Sequence, residues 1–305
     1  MKTILINRQI KNGSWGGGNN FVKSFVQYFS LMGHNVVCDF NDIQNTPIDI
    51  LFVQDPRPCP ELNISINDIV YYKQKYNINA KIIHRVNECS KRKNDPSIDP
   101  LLVESSKFTN TTIFVSNWMK QHHINKEWHC KDTHVAYNGV SKGIYTPSNK
   151  KLSNSNSKIN LVTHHWSNNY LKGFDVYEKV DKFVAQHTDF TFTYIGRHNN
   201  TFNNTKIIPP ISGKKLGHEL SKYDVYISGS RFDPGPNHIL ESLSCNLPTF
   251  VHKDGGGAVE FAGKENVYNN IDELFNILLS KKFKKNKTNV LSWFECMKNI
   301  EKIIL

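Results

Sequence analysis

The sequence predicts an α/β protein made of two similar halves, each a parallel sheet covered by helices. Three observations predict it. Short β-branched runs alternate with amphipathic stretches of three-and-four spacing along most of the chain. The alternation stops at a polar stretch, T-P-S-N-K-K-L-S-N-S-N-S-K at residues 146–158, and then restarts. The 305 residues are also enough for two apolar cores, because a domain usually takes about 100–200.

The first strand is expected at residues 3–7 (T-I-L-I-N), followed by a glycine-rich loop at 13–18 and a helix. That helix shows one apolar face through Phe21, Val22, Phe25, Val26, Phe29 and Met32, and Gly33 supplies its stop. Strands are expected next at 36–40, 50–53, 81–86, 112–115 and 134–137, with helices around 64–76 and 117–123. After the polar stretch, strands are expected at 159–163, 190–195, 206–208, 224–228 and 248–251. The last segment, 290–305, is amphipathic through Leu291, Phe294, Met297, Ile300 and Ile303. The expected domains are 1–148 and 159–288, joined by a linker at 149–158, with 289–305 as a terminal helix.

Composition excludes several classes. With 38 Lys+Arg against 27 Asp+Glu the formal charge is +11, and 38% of residues are hydrophobic, as in a globular protein. The six cysteines contain no C-x-x-C pair, which fits reduced thiols. No apolar run approaches the roughly 20 residues that cross a bilayer, and residues 1–20 lack the pattern of a signal peptide, so a cytoplasmic location is expected. Basic stretches at 118–131 and 281–287 read first as solvated surface and second as peripheral membrane contacts. No nucleic-acid reader motif accompanies the charge, so nucleic acid is not expected as a partner.

Parallel sheets bind ligands beyond the carboxyl ends of their strands, so the loops that follow strands are where chemistry is sought. The loop G-S-W-G-G-G-N-N at 13–20 leads into a helix, where backbone N–H groups and the helix dipole favour an anion. It reads as a phosphate-binding loop, with a flexible turn as the plainer alternative. No G-x-G-x-x-G is present, but Asp39 ends the next strand, which keeps a nicotinamide oxidoreductase as an alternative. In S-G-S-R-F-D-P-G-P-N-H-I-L-E-S-L-S-C-N-L-P-T-F, residues 228–250, Asp233 stands at a helix entrance and Glu241 about two turns further on. One acid could hold a sugar and the other a ribose; the plainer alternative is that Asp233 only caps the helix. The cluster His122, His123, His129, Cys130 and His134 matches no zinc spacing and reads as a wet surface helix; no metal is expected.

Residues 228–263 resemble the donor-binding signature of retaining GT-B glycosyltransferases of family four. That signature has two acids separated by seven residues, a small-residue helix, a Pro-led strand and a GG-x-x-E turn. Asp233, Glu241, Pro248, Gly255, Gly256 and Glu260 occupy those places here. Gly17 and Gly18 with G-H-N-V at 33–36 resemble the family's first loop and second strand. V-S-N-W-M-K at 115–120 and N-G-V at 138–140 resemble the end of its acceptor domain, Lys172-Gly173 its phosphate-binding lysine, and S-W-F-E at 292–295 the start of its terminal helix.

The resemblance implies a GT-B fold, with two Rossmann-like domains facing each other across a cleft and a terminal helix crossing back to the first, acceptor-binding domain. It implies a metal-independent, retaining hexosyl transfer from a nucleotide diphosphate sugar to a glycan, lipid-linked or small-molecule hydroxyl. Glu241 would hold the ribose, and Asp233 with the N–H groups of Gly235, Asn237 and His238 would hold the donor sugar. Lys172, with the N–H groups around Gly17 and Gly18, would stabilise the departing diphosphate, and His84 would contact the sugar near the reacting carbon. Two positions depart from the pattern. Asp233 stands where most relatives have Glu, and Trp166 replaces an arginine, leaving His165, Ser167, Arg197 beside Gly196, or Arg231 to supply the missing contact. A non-catalytic sugar-nucleotide or glycan-binding protein of the same fold is the alternative. No D-x-D occurs that would hold a metal on the diphosphate.

Overall fold

The computed structural model describes residues 1–11, 16–39, 47–59, 61–147 and 158–305, in two compact units. The first comprises Met1–Asn138 with Trp293–Leu305, and the second Gly139–Ser292. Nearly all of the expected linker, with Phe40 and residues 13–15 of the glycine loop, lies outside the described residues. Residues 139–147, expected with the first half, pack in the second unit, where Ser244 Oγ donates to the Tyr145 carbonyl at 2.6 Å.

The first unit carries a six-stranded parallel sheet in the order β2-β1-β3-β4-β5-β6. Its strands are β1 (Thr3–Ile6), β2 (Asn35–Val37), β3 (Ile50–Val53), β4 (Lys81–Val86), β5 (Thr111–Phe114) and β6 (Thr133–Val135). β3 is buried along its whole length, as a strand covered on both faces must be. Helix α1 (Gly17–Leu31) lays Phe21 and Phe25 on Phe52, with ring centroids 6.0 and 4.6 Å away, and Phe29 packs on Phe25 at 4.4 Å. Helices α2 (Ile66–Tyr76), α3 (Ser90–Lys93), α4 (Ile98–Ser105) and α5 (Asn117–Ile124) follow. Ser65 and Asp68 start α2 with a reciprocal capping box.

The second unit repeats the plan in the order β12-β11-β10-β7-β8-β9, again all parallel. The strands are β7 (Ile159–His165), β8 (Phe190–Gly196), β9 (Lys206–Ile208), β10 (Val225–Ser228), β11 (Thr249–His252) and β12 (Val267–Tyr268). Helices α6 (Phe174–Gln186), α7 (Gly213–Leu220), α8 (Asn237–Ser244), α9 (Gly257–Ala262) and α10 (Ile271–Ser280) complete it. The two-residue β12 was not expected, being too short to show a period. Finally α11 (Trp293–Ile304) returns to the first unit, burying Met297, Ile300 and Ile304 in the α1 core, where Tyr28 OH donates to Glu301 at 2.8 Å.

Candidate functional site

In the second sheet the chain leaves β7 toward β8 on one side, while β10 pairs with β7 on the other. The loops after β7 and β10 therefore diverge at the carboxyl ends of adjacent strands, where open parallel sheets form ligand crevices. After β7 comes a 3-10 turn, Tyr170–Lys172, capped by Asn169, whose Oδ1 accepts from Leu171 N at 2.8 Å. Gly173 follows at φ 99°, and a Cβ there would lie 2.3 Å from the Gly229 carbonyl carbon. Only glycine permits both the left-handed backbone and that approach. The β7 and β10 loops are thus pressed together, and Lys172 Nζ reaches Asp233 Oδ2 at 3.0 Å.

Asp233 is held by its own backbone. Its N–H donates to the Gly255 carbonyl at 3.2 Å, and its carbonyl accepts from Gly257 N at 2.8 Å. Gly256, between them, sits at φ 69°, and a Cβ would come 2.7 Å from the Asp233 carbonyl oxygen. The D-G-G-G run is therefore a clamp on the acid-bearing loop. Eight residues on, in α8, Glu241 Oε2 lies 2.7 Å from His164 Nε2, with the two side chains 14% and 8% exposed. Tyr145 is buried beside the same carboxylate, and burial together with that negative charge pushes its hydroxyl far above the usual tyrosine range.

His164 and Tyr145 escaped the sequence reading. The His-His doublet at the end of a β-branched strand was the available signal, since successive strand residues point to opposite sides. His164 meets Glu241, whereas His165 turns to Tyr177, with Nε2 2.6 Å from the hydroxyl and 3% of the residue exposed. His165 is thus a buried member of an aromatic network with Tyr194 and His238. Ser167 Oγ accepts from Asn169 N at 3.2 Å. Gly196 ends β8 where a Cβ would overlap the His165 carbonyl oxygen, 1.9 Å away. Next to it the Arg197 guanidinium lies 4.3 Å above the Trp166 ring. Gly235 and Asn237 form the entrance to α8, whose N-cap is Pro236, and His238 Nε2 sits 3.1 Å from Ser228 Oγ.

In the first unit, Gly17 and Gly18 are the opening residues of α1 itself, behind Gly16 as N-cap, and no acidic residue occupies the first turn. The Arg8 guanidinium carbon would be 3.7 Å from a Cβ at Gly18, which places a cation beside the helix N-terminus. His84 lies inside β4, at the place of the expected strand 81–86, and is completely buried. Burial, with His123 nearby, lowers its pKa to about 3, so the imidazole is neutral at physiological pH. Adjacent Arg85 is also buried, bonded to Gln54 and Asn138 and lying 3.8 Å from the Phe21 ring centroid.

The histidine cluster is not a wet helix face. His123 is fully buried with Nε2 3.1 Å from the Glu88 carbonyl, and His122 Nε2 lies 2.9 Å from Asp99 Oδ2. Asp99, His122 and His123 offer ligand atoms within 4.8 Å of one another, but the Lys126 ammonium sits on the same Asp99 oxygen and balances its charge. The lysines of the basic stretch at 281–287 are exposed, as expected of a solvated surface, while the stretch itself is anchored. Lys281 pairs with Asp189 at 2.6 Å, Phe283 packs on the second core, and Asn286 bonds the backbone of Thr249 and Ala262.

No protein-family model matches the sequence, and neither does any curated protein sequence. Solved structures do match the fold. The Anabaena Alr3699/HepE protein in complex with UDP and glucose superposes with a TM-score of 0.72 at 13% identity, covering 99% of this chain and 98% of that one. Sucrose-phosphate synthase (tll1590) from Thermosynechococcus elongatus gives 0.70 at 12% identity, covering 99% and 97%. TarM gives 0.59 at 10%, covering 84% of this chain and 51% of its own. The chain has the GT-B fold. Among the described residues no helix is long and apolar enough to cross a membrane.

Proposed function

We propose that this GT-B chain is a glycosyltransferase that moves a hexosyl group from a nucleotide diphosphate sugar to a hydroxyl acceptor with retention of anomeric configuration. The observation that carries the reading is the meeting of Lys172 with Asp233 at the switch point of the second sheet, with Glu241 two turns along the helix that the Asp233 loop enters. Structures of the same fold that hold UDP with glucose support it.

Each group has a chemical task in this reading. Glu241, oriented by His164, accepts hydrogen bonds from the ribose hydroxyls. The α8 N-terminus and Asp233 hold the donor sugar. Lys172 turns its ammonium from Asp233 to the diphosphate, whose charge grows as the glycosidic bond breaks. A departing phosphate oxygen then takes the proton of the incoming hydroxyl on the same face, so the protein supplies neither nucleophile nor general base. Asp233 and Glu241 belong to one loop and the helix it enters, so they act as binders and not as the flanking acid and base of a glycosidase. Lysine and helix dipoles carry the leaving-group charge without a metal in this scheme, and the working location is the cytoplasm, with its nucleotide-sugar pools.

The test is release of nucleoside diphosphate from a panel of UDP-, GDP- and ADP-sugars, alongside calorimetric titration with the free diphosphates. Turnover with one donor supports the reading. Binding without transfer to any acceptor favours a sugar-nucleotide-binding protein, and absence of both sinks the proposal.

A further inference from the structure

Glu241 is gripped from two sides, and one grip comes from a segment that belongs to none of the strands or helices of the second unit. Residues 139–147 precede the polar stretch and pack in that unit. Within them Ile144 and Tyr145 close a turn on Ser141, their N–H groups 2.8 and 3.0 Å from its carbonyl. The turn is pressed on α7, where a Cβ at Gly217 would lie 2.2 Å from the Ile144 carbonyl oxygen. Only glycine lets the helix and the turn approach so closely.

Tyr145 then clasps α8 at two points. Ser244 Oγ donates to its carbonyl at 2.6 Å, and its own hydroxyl donates to the Glu241 carboxylate. Glu241 and Ser244 are three residues apart, so both lie on one face of the helix. Tyr145 is 7% exposed, and burial beside that negative charge keeps its hydroxyl protonated, as a donor. From the other side His164 Nε2 meets Glu241 Oε2 at 2.7 Å, and the His164 backbone N–H donates to Tyr226 OH at 3.1 Å. A carboxylate only accepts, so both side chains must give it a proton to share.

The number of donors sets what the carboxylate can still bind. An ionised carboxyl group offers about four lone-pair positions. His164 takes one and Tyr145 another, which leaves about two on a side chain that is 14% exposed. A pair of neighbouring hydroxyls fills two. Ribose presents such a pair, and a deoxyribose does not.

We propose that Tyr145 is a positioning residue whose hydroxyl fixes Glu241 to receive a vicinal diol, so that the site selects ribonucleotides over deoxyribonucleotides. The proposal rests on the nucleotide-sugar reading for the identity of the ligand. Tyr145 acts through Glu241 and not on the nucleotide itself.

Tyr145→Phe keeps the ring and removes the hydroxyl. Full-length parent and variant are titrated by calorimetry with UDP, ADP and GDP and with their 2′,3′-dideoxy counterparts. The parent is expected to prefer one ribonucleotide over its dideoxy form by about tenfold or more, because a site that bonds hydroxyls rejects the analogue lacking them. Tyr145→Phe is expected to weaken that ribonucleotide about fivefold and to leave the dideoxy form within about twofold. A merely structural role would weaken both forms alike. In a Glu241→Ala background, adding Tyr145→Phe is expected to cost nothing further, since the group it acts through is gone.

Three outcomes overturn the proposal: equal losses for the two forms, a variant that binds the ribonucleotide like the parent, or a further loss in the Glu241→Ala background. Binding by the parent that ignores the ribose hydroxyls sinks this proposal alone. Absence of any diphosphate binding sinks the transferase reading together with it.

Discussion

The guanidinium of Arg231 lies against the Asp175 carboxylate in a fork, its Nη1 and Nη2 2.7 and 2.6 Å from the two oxygens. Asp175 is in the first turn of α6, directly behind Lys172-Gly173, so the pair fastens the β10 loop to the helix that follows the β7 loop. It also decides a question left by Trp166. Arg231 is committed to structure, and Arg197 lies over the Trp166 ring. Among the four substitutes named for the missing arginine, both cations already hold protein partners.

Arg231→Ala is therefore expected to act on stability and not on the nucleotide. Loss of a half-buried bidentate pair costs about 1–2 kcal/mol, or roughly 2–6 °C in melting temperature. UDP affinity should change less than about threefold. Differential scanning calorimetry and a UDP titration on the same sample read both.

Lys172→Met is expected to act chiefly on the nucleotide. It keeps most of the side-chain volume and removes the ammonium that the proposed diphosphate requires, so nucleotide affinity should fall about tenfold to a hundredfold. The melting temperature should also fall by a few degrees, because Asp233 loses its ion-pair partner. An unchanged UDP affinity would remove Lys172 from the site.

Glu241→Gln separates charge from shape. The amide can still accept a hydrogen bond near His164, but a neutral acceptor binds ribose hydroxyls less well than a carboxylate. The expected loss is about 1–2 kcal/mol, a five- to thirtyfold rise in Kd for UDP. Uracil alone, without ribose, should bind parent and variant equally.

Gly173→Ala places a methyl group 2.3 Å from the Gly229 backbone at a residue with φ 99°. Neither loop can yield without moving Lys172 away from Asp233. About 2–4 kcal/mol of stability should be lost, together with nucleotide binding. A variant that melts and binds like the parent would mean that the two loops are not pressed together.

Acid should weaken the first unit before the usual carboxylate range. His84 and His123 are buried, and burial lowers their pKa values from 6.5 to about 3 and about 4. Unfolded imidazoles take up protons as pH falls through 6.5 while the folded ones do not, so the unfolded state binds more protons across that window. Stability is therefore full above pH 6.5 and drains as pH falls toward 4, by on the order of 3 kcal/mol per fully buried imidazole. Urea titrations at pH 7.5, 6 and 5 check the slope, which should be shallower in His84→Phe.

Much of the architecture was legible locally. The runs at 3–6 and 50–53 are mostly apolar and β-branched because both faces of a parallel sheet are covered. Phe21, Phe25 and Phe29 repeat at helical spacing because one face of α1 must be apolar. The two-residue β12 and the four-residue α3 carry too few side chains for a period to appear. The strand that holds His84 was legible, but its complete burial was not, since a histidine inside a strand carries no local mark of burial.

The chain's pattern of alternation and breaks was enough for two α/β units, for a terminal helix of amphipathic character, and for the loop that carries Asp233 ahead of Glu241. These are short-range properties, written in neighbouring residues. Pairings such as His164 with Glu241, His165 with Tyr177 and Arg231 with Asp175 join residues 77, 12 and 56 positions apart. They exist because parallel strands bring distant loops to one sheet edge, and no spacing along a linear chain encodes which of those loops will touch.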